Sequence, residues 1–129
     1  MSLHQSDLAA EIRQLFDQSA NLDRARGRAA FARLREELSS GRVRAAEPDP
    51  SSLSGWRVNT WVKQGILLGF RCGDIVPMAA GGDRPPFLDK DTLPLKRLDA
   101  AARVRIVPGG SSVRDGAYVA PGVICMPPM

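Results

Sequence analysis

Cysteine, histidine and arginine are the residues through which this chain could do chemistry, and their spacing excludes more than it permits. Cys72 and Cys125 are the two cysteines, and His4 is the sole histidine of 129 residues. A zinc site needs clustered ligands, and an activated nucleophile needs a base beside it. With one histidine and no Cys-x-x-Cys pair, neither is expected within one chain. The two thiols are expected to be buried and reduced, as in a cytoplasmic protein. Gly81-Gly82 could cradle a phosphate, but no strand–loop–helix frame surrounds the pair, so it is read as a turn. Arginines 24, 26, 28, 33 and 35 concentrate positive charge in a chain of net charge +4. That balance admits a nucleic acid, a phosphate-bearing cofactor or a dicarboxylate without choosing among them. Glu36 and Glu37 dilute the cluster, and no aromatic residues alternate with the arginines as base-stacking platforms. A solvated helix face is therefore expected there, not a nucleic-acid surface.

The elements that must position such residues are mostly helical at first. Apolar content is 43%, enough for a globular core, and aromatic content is 5%, so that core must be aliphatic. Ser6 or Asp7 can cap a first helix, whose apolar stripe is Leu8, Ile12, Leu15 and Phe16. Asn21 or Asp23 can cap a second, carrying Ala30, Phe31, Leu34 and Leu38 and ended by Gly41. Gly27 weakens its first turn by about 1 kcal/mol. A short turn joins the two, which predicts an antiparallel pair. Arg42 to Ala46 reads as a short strand, and Pro48, Pro50 and the nearby serines as a loop. Asn59 can cap a third helix with Trp61, Val62, Ile66 and Phe70, widened by Leu67 and Leu68. It should be the most buried of the three. Gly65 and Gly69 leave room for another backbone, and Gly73 can end the helix. Residues 74–100 read as irregular, with a loop or excursion over Ala79–Pro86. No apolar run approaches a membrane span, and the N-terminus lacks the form of a signal peptide, so a cytoplasmic location is expected.

From Arg103 the pattern changes. Val107, Val113, Val119 and Cys125 recur every six positions, and Gly110, Gly116 and Gly122 hold one phase between them. A period of six with apolar first positions and phased glycines is the signature of a parallel β-helix. First-position side chains point to the axis, and glycine permits the turns. Three units make one coil, so residues 107–124 form a coil and 125–129 begin the next.

Two stretches give the chain a family likeness. "WRVNTWVKQGILLGFRCGD" and "RVRIVPGGSSVRDGAYVAPGVICMP" resemble the N-terminal part of the tetrahydrodipicolinate N-succinyltransferases, and the likeness runs roughly from Leu8 to Met129. "FLDKDTLPLK" fits more loosely, departing at Leu88 and in the spacing to Pro94. The resemblance implies an α+β chain: a small α-helical N-terminal domain with an irregular linker over 1–102, then the start of a hexapeptide-repeat, left-handed parallel β-helix over 103–129. It implies succinyl transfer from succinyl-CoA to tetrahydrodipicolinate in lysine and diaminopimelate synthesis, by a homotrimer with active sites between neighbouring β-helices. An arginine just before the Val-Pro that opens the β-helix binds substrate in that family, and Arg105 holds that position here. A guanidinium there can clamp a carboxylate bidentately. Arg114 and Asp115 are expected to be turn or interface residues.

The likeness covers an N-terminal portion only. In the family, the active-site acids and most of the coenzyme A surface lie beyond the position of Met129. The expectation is a truncated piece that is inactive by itself, holds coenzyme A poorly and contains no catalytic residue. Residues 107–129 should be poorly protected unless they dock on the helical domain or on another chain, because one coil cannot bury its own core. A different class of function also fits: a non-catalytic helical interaction module whose β-helical tail docks on a partner. A third reading puts nucleic acid on the arginine-rich helix.

Overall fold

Three helices, three two-stranded sheets and one short 3-10 turn make up the computed structural model, which describes residues 3–18, 21–78 and 87–127. Helix α1 spans Leu3–Asp17, α2 Arg24–Ser39 and α3 Thr60–Cys72. Strands β1 (Ala46–Pro48) and β2 (Trp56–Val58) form an antiparallel hairpin between α2 and α3. Strands β3 (Ile75–Met78) and β4 (Phe87–Lys90) form a second. Strands β5 (Arg105–Ile106) and β6 (Ile124–Cys125) pair in parallel. The fold is α+β, as expected.

The core lies where α3 meets both other helices. Leu8, Ile12 and Leu15 from α1, Ala30, Phe31 and Leu34 from α2, and Trp61, Val62, Leu68 and Cys72 from α3 are all buried. The stripes read from the sequence are the faces that pack. Leu38, Ile66 and Phe70 close the edge of the core. Leu67 does not widen the buried face of α3; it is exposed. Phe16 is half-buried beneath the Arg71 guanidinium, 4.7 Å above its ring.

Gly69 shows why α3 can come so close to α2. A Cβ built there would lie 2.6 Å from the Phe31 ring, and one at Gly65 would overlap the Leu34 side chain. The glycines make room for side chains of the neighbouring helices, not for a backbone. The cost in helix propensity, about 1 kcal/mol each, is offset by seating those side chains in a close-packed interior.

Asp23 caps α2 as expected, its carboxylate accepting from the Arg26 N–H at 3.1 Å. Helix α1 begins at Leu3, so Ser6 and Asp7 lie inside it and not at its cap. Asn59 occupies the N-cap of α3 without a capping bond; its amide donates instead to the Arg44 carbonyl at 2.8 Å and to Glu47. Gly41 follows α2 with φ +74°. Gly73 ends α3 in an extended conformation, so a left-handed cap is not what stops this helix. The end of α3 is held from outside: Arg24 and Arg28 both donate to the Cys72 carbonyl, at 2.9 and 2.8 Å, and Thr92 donates to that of Gly69. Cationic donors at a helix C-terminus satisfy the last carbonyls and complement the dipole.

Two readings of local structure need correction. The strand expected over Arg42–Ala46 lies at Ala46–Pro48, because Val43 turns into the core and the register is set by pairing with Trp56–Val58. Residues 74–100 are not wholly irregular. Met78 pairs with Phe87 and Ile75 with Lys90. Pro77 disguised this hairpin, since proline argues against a central strand but is tolerated where one edge stays unpaired. The excursion expected over Ala79–Pro86, with its Gly81-Gly82 turn, lies outside the described residues.

Asp91 ties the second hairpin to α2. Its carboxylate takes both Arg28 Nη atoms, at 3.2 and 2.5 Å, and the Asp74 N–H at 2.9 Å. The Arg28 bond chiefly, then that N–H, lowers its pKa from about 3.8 to about 2. A depressed folded-state pKa stabilises above the ordinary value and ceases to do so as pH falls through the folded one. Stability should therefore drop between roughly pH 4 and pH 2 through this group. Asp91→Asn should be less stable at neutral pH and have a flatter acid transition by circular dichroism. An unchanged acid curve would contradict this.

Candidate substrate-binding edge around Arg105

Strand β5 opens the C-terminal segment and sets the position of Arg105. Its backbone N–H donates to the Val123 carbonyl at 3.0 Å, and that of Val107 donates to the Cys125 carbonyl at 3.0 Å. Arg105 thus faces Ile124, and Ile106 faces Cys125, an offset of 19 residues from 105 to 124. Three units of six would have stacked Val107 on Cys125. Gly109 and Gly110, at φ 146° and 108°, stand between the strands, and successive positive-φ glycines can absorb the extra residue without side-chain strain. Gly116 and Gly122 also have positive φ, so three of the phased glycines occupy the backbone conformation for which glycine is suited.

The Arg105 side chain is exposed and forms no ion pair or hydrogen bond among the described residues. The side chains of Arg13, Arg97 and Arg103 likewise form none among the described residues. Each of the five arginines of α2 is engaged: Arg24 with Asp74, Arg26 and Arg33 with Glu11, Arg28 with Asp91, and Arg35 with Asp115. That helix is not merely solvated; it is the strut that α1, α3, the second hairpin and the C-terminal segment are fastened to. Its charge is largely matched by acids of the same chain.

Asp115 is the fastening of the C-terminal segment. It accepts from the Ser39 hydroxyl at 2.6 Å and lies 3.2 Å from Arg35 Nε and 3.5 Å from Lys96 Nζ. The Gly116 N–H donates to the same Ser39 oxygen at 2.7 Å. Burial by itself would raise the Asp115 pKa; the Ser39 hydroxyl and the Lys96 and Arg35 charges outweigh it and hold the carboxyl below its usual range. Backbone bonds from Lys96 to Val113 and from Asp115 to Pro94 stitch the same seam. Arg114 pairs with Asp89 at 2.7 Å and lies over Phe70, and Tyr118 stacks beneath Arg44. Both Arg114 and Asp115 make their contacts within the chain. Ser39, Asp89 and Lys96 carried no sequence signal for this, because each is an ordinary surface residue until the segment folds back.

Removing a hydrogen-bonded carboxylate from such a seam costs about 1–3 kcal/mol. Asp115→Ala should raise hydrogen exchange at the Arg105, Val107 and Cys125 amides by roughly tenfold or more, with α1–α3 amides little changed. Equal protection in the variant would remove Asp115 from this role.

Both cysteines are free and buried. Burial, the largest influence, raises the Cys72 pKa, so this thiol is a poor nucleophile. Among the described residues, the carboxyl groups with displaced acidity, Glu37, Glu47, Asp49, Asp89, Asp91 and Asp115, are all displaced downward. A general base for an amine needs the opposite tuning.

A three-helix core, bolted by ion pairs to a parallel-strand turn on which Arg105 stands exposed, defines an α+β unit. Residues 7–72 match the family described as tetrahydrodipicolinate N-succinyltransferase N-terminal. Similar proteins named 2,3,4,5-tetrahydropyridine-2,6-dicarboxylate N-succinyltransferase occur in Granulibacter bethesdensis (42% identity, covering 69% of this chain and 32% of the relative), Leptothrix cholodnii (37%, covering 95% and 46%) and Methylorubrum extorquens (35%, covering 95% and 45%). The chain belongs to the tetrahydrodipicolinate N-succinyltransferase family, an enzyme family of acyl-group transferases. It spans less than half the length of each of these relatives.

Proposed function

We propose that this chain is the N-terminal part of an enzyme that moves a succinyl group from succinyl-CoA to the amine of ring-opened tetrahydrodipicolinate, in lysine and diaminopimelate synthesis. Arg105 carries the reading: an exposed guanidinium without a carboxylate partner among the described residues, on the strand that opens the C-terminal segment of a family member. In this reading it holds a carboxylate of the substrate bidentately and so orients the amine for attack on the thioester carbonyl. The parallel β5–β6 pair is the start of a left-handed β-helix, with domain limits at 1–102 and 103–129. Further coils would cover the exposed Val123, Ile124 and Met126, and the whole enzyme is a cytoplasmic homotrimer with sites between β-helices. Among the described residues no helix is long and apolar enough to cross a membrane.

The described residues supply a positioning cation but no carboxyl group tuned as a base, so the 129 residues by themselves should not turn over. The test joins them to the remaining segment of the Leptothrix cholodnii relative and follows release of free coenzyme A thiol. Turnover by the joined chain and none by the short one is expected. Turnover by the short chain, or none by a folded joined chain, would overturn the proposal. The exposed Ile124 and Met126 also suit the non-catalytic alternative, in which the tail docks on a partner. Co-elution of the 129 residues with the full-length relative, with no turnover in the joined chain, is the result that would favour it.

A further inference from the structure

A cleft of about 340 Å³, which Arg105 does not line, lies between α1, the β1–β2 hairpin and the start of α3. Its walls include Arg13, Arg42, Arg44 and Arg57, and its floor is Val43 and Trp61, both nearly fully buried. One carboxylate, Glu47, lines it and bonds Arg57 at 2.7 Å. Arg42 is held from outside by both oxygens of Glu37, at 2.9 and 3.0 Å, with solvated Glu36 at 4.0 Å. Arg13 has no carboxylate partner among the described residues. Arg44 has none either: it reaches the Gly41 carbonyl at 3.4 Å and lies 4.8 Å from the centre of the Tyr118 ring. Four guanidinium groups thus meet two closely bonded carboxylates, and two are left over.

That imbalance contrasts with α2, where every arginine lies within ion-pair distance of an acid, Arg26 and Arg33 sharing Glu11. A concave site with an apolar floor focuses the field of unmatched charges, and a guanidinium offers paired donors to an oxyanion. The volume suits a small molecule. We propose that this cleft is an anion site, separate from Arg105, for a small ligand carrying two negative charges on oxyanion groups, either a phosphate monoester or a dicarboxylate. Arg13 and Arg44 are its principal ligands. Arg57 contributes the N–H groups that Glu47 leaves free, and Trp61 walls the less polar part of the ligand.

The test is an NMR titration of the 129-residue chain with inorganic phosphate and, separately, succinate, at ionic strength held constant with chloride. Saturable shifts are expected at the side-chain Nε–H of Arg13 and Arg44 and at the Trp61 indole, with the exposed Trp56 indole still. Saturation by phosphate only assigns a phosphate-bearing ligand; saturation by succinate only, a dicarboxylate. Arg13→Gln and Arg44→Gln should each weaken binding by roughly tenfold, since each removes charge-assisted hydrogen bonds. Lys63→Gln, an exposed cation outside the cleft, should leave binding unchanged. Shifts that stay linear with both anions, unaltered binding in both arginine variants, or equal weakening by Lys63→Gln would each overturn the proposal.

Discussion

Phe31→Ala should destabilise the chain by about 3–5 kcal/mol, a large part of the 5–15 kcal/mol of a typical domain. The ring is 2% exposed at the centre of the α2–α3 contact, and the side chains around it cannot collapse fully into the space it leaves. Gly69 makes the prediction sharper. Gly69→Ala alone gains about 1 kcal/mol of helix propensity, but its methyl would sit 2.6 Å from the Phe31 ring, against a rigid and buried plane. Overpacking of this kind costs about 1–3 kcal/mol, so the single variant should be less stable than the parent. In the Phe31→Ala background the same methyl enters empty space and should stabilise. The two changes should therefore couple by about 1–3 kcal/mol. Urea unfolding followed at Trp61 fluorescence reads all four corners of the cycle. Additivity within about 0.5 kcal/mol would show that the ring and the glycine are not in the contact described.

Arg105→Ala in the joined, active chain should lower kcat/KM for the dicarboxylate by roughly 10–150-fold, from about 1.5–3 kcal/mol of charge-assisted hydrogen bonding. If the arginine holds a carboxylate alike in the ground and transition states, most of the loss falls on KM. Arg105→Lys should recover part of it, because an ammonium keeps the charge and loses the paired donors. The fold should not notice, since the side chain is exposed and has no partner among the described residues; surface changes of this kind stay within about 0.5 kcal/mol. An unchanged KM for the dicarboxylate would remove Arg105 from substrate binding. A change confined to the thermal midpoint would make it structural.

Much of this was legible in the sequence because it depends on neighbours along the chain. Helical stripes such as Leu8, Ile12 and Leu15 follow from a period of 3.6, and the cap at Asp23 from one side chain reaching three residues ahead. The phased glycines announced a turn backbone that the structure confirms at φ 105° for Gly116 and 88° for Gly122. The β3–β4 hairpin was not legible, since four-residue strands carrying Pro77 and two charges, Asp89 and Lys90, show no alternation. Nor was the Ile106–Cys125 register, because turn geometry, not periodicity, decides a shift of one residue.

The sequence by itself determined the family, the three apolar helix faces, the position of Arg105 and the change of pattern after Arg103. These are properties of residue type and spacing, and they survive without knowledge of what touches what. Only the tertiary structure decided which arginines are occupied. Five on α2 find acids drawn from α1, the second hairpin and the Asp115 turn, at separations of up to 80 residues for Arg35 and Asp115. Charge in the sequence is a sum, whereas binding depends on what remains after each cation has met its nearest anion. Folding brings those anions in from distant segments, and among the described residues it leaves others, Arg13, Arg44 and Arg105 among them, without one.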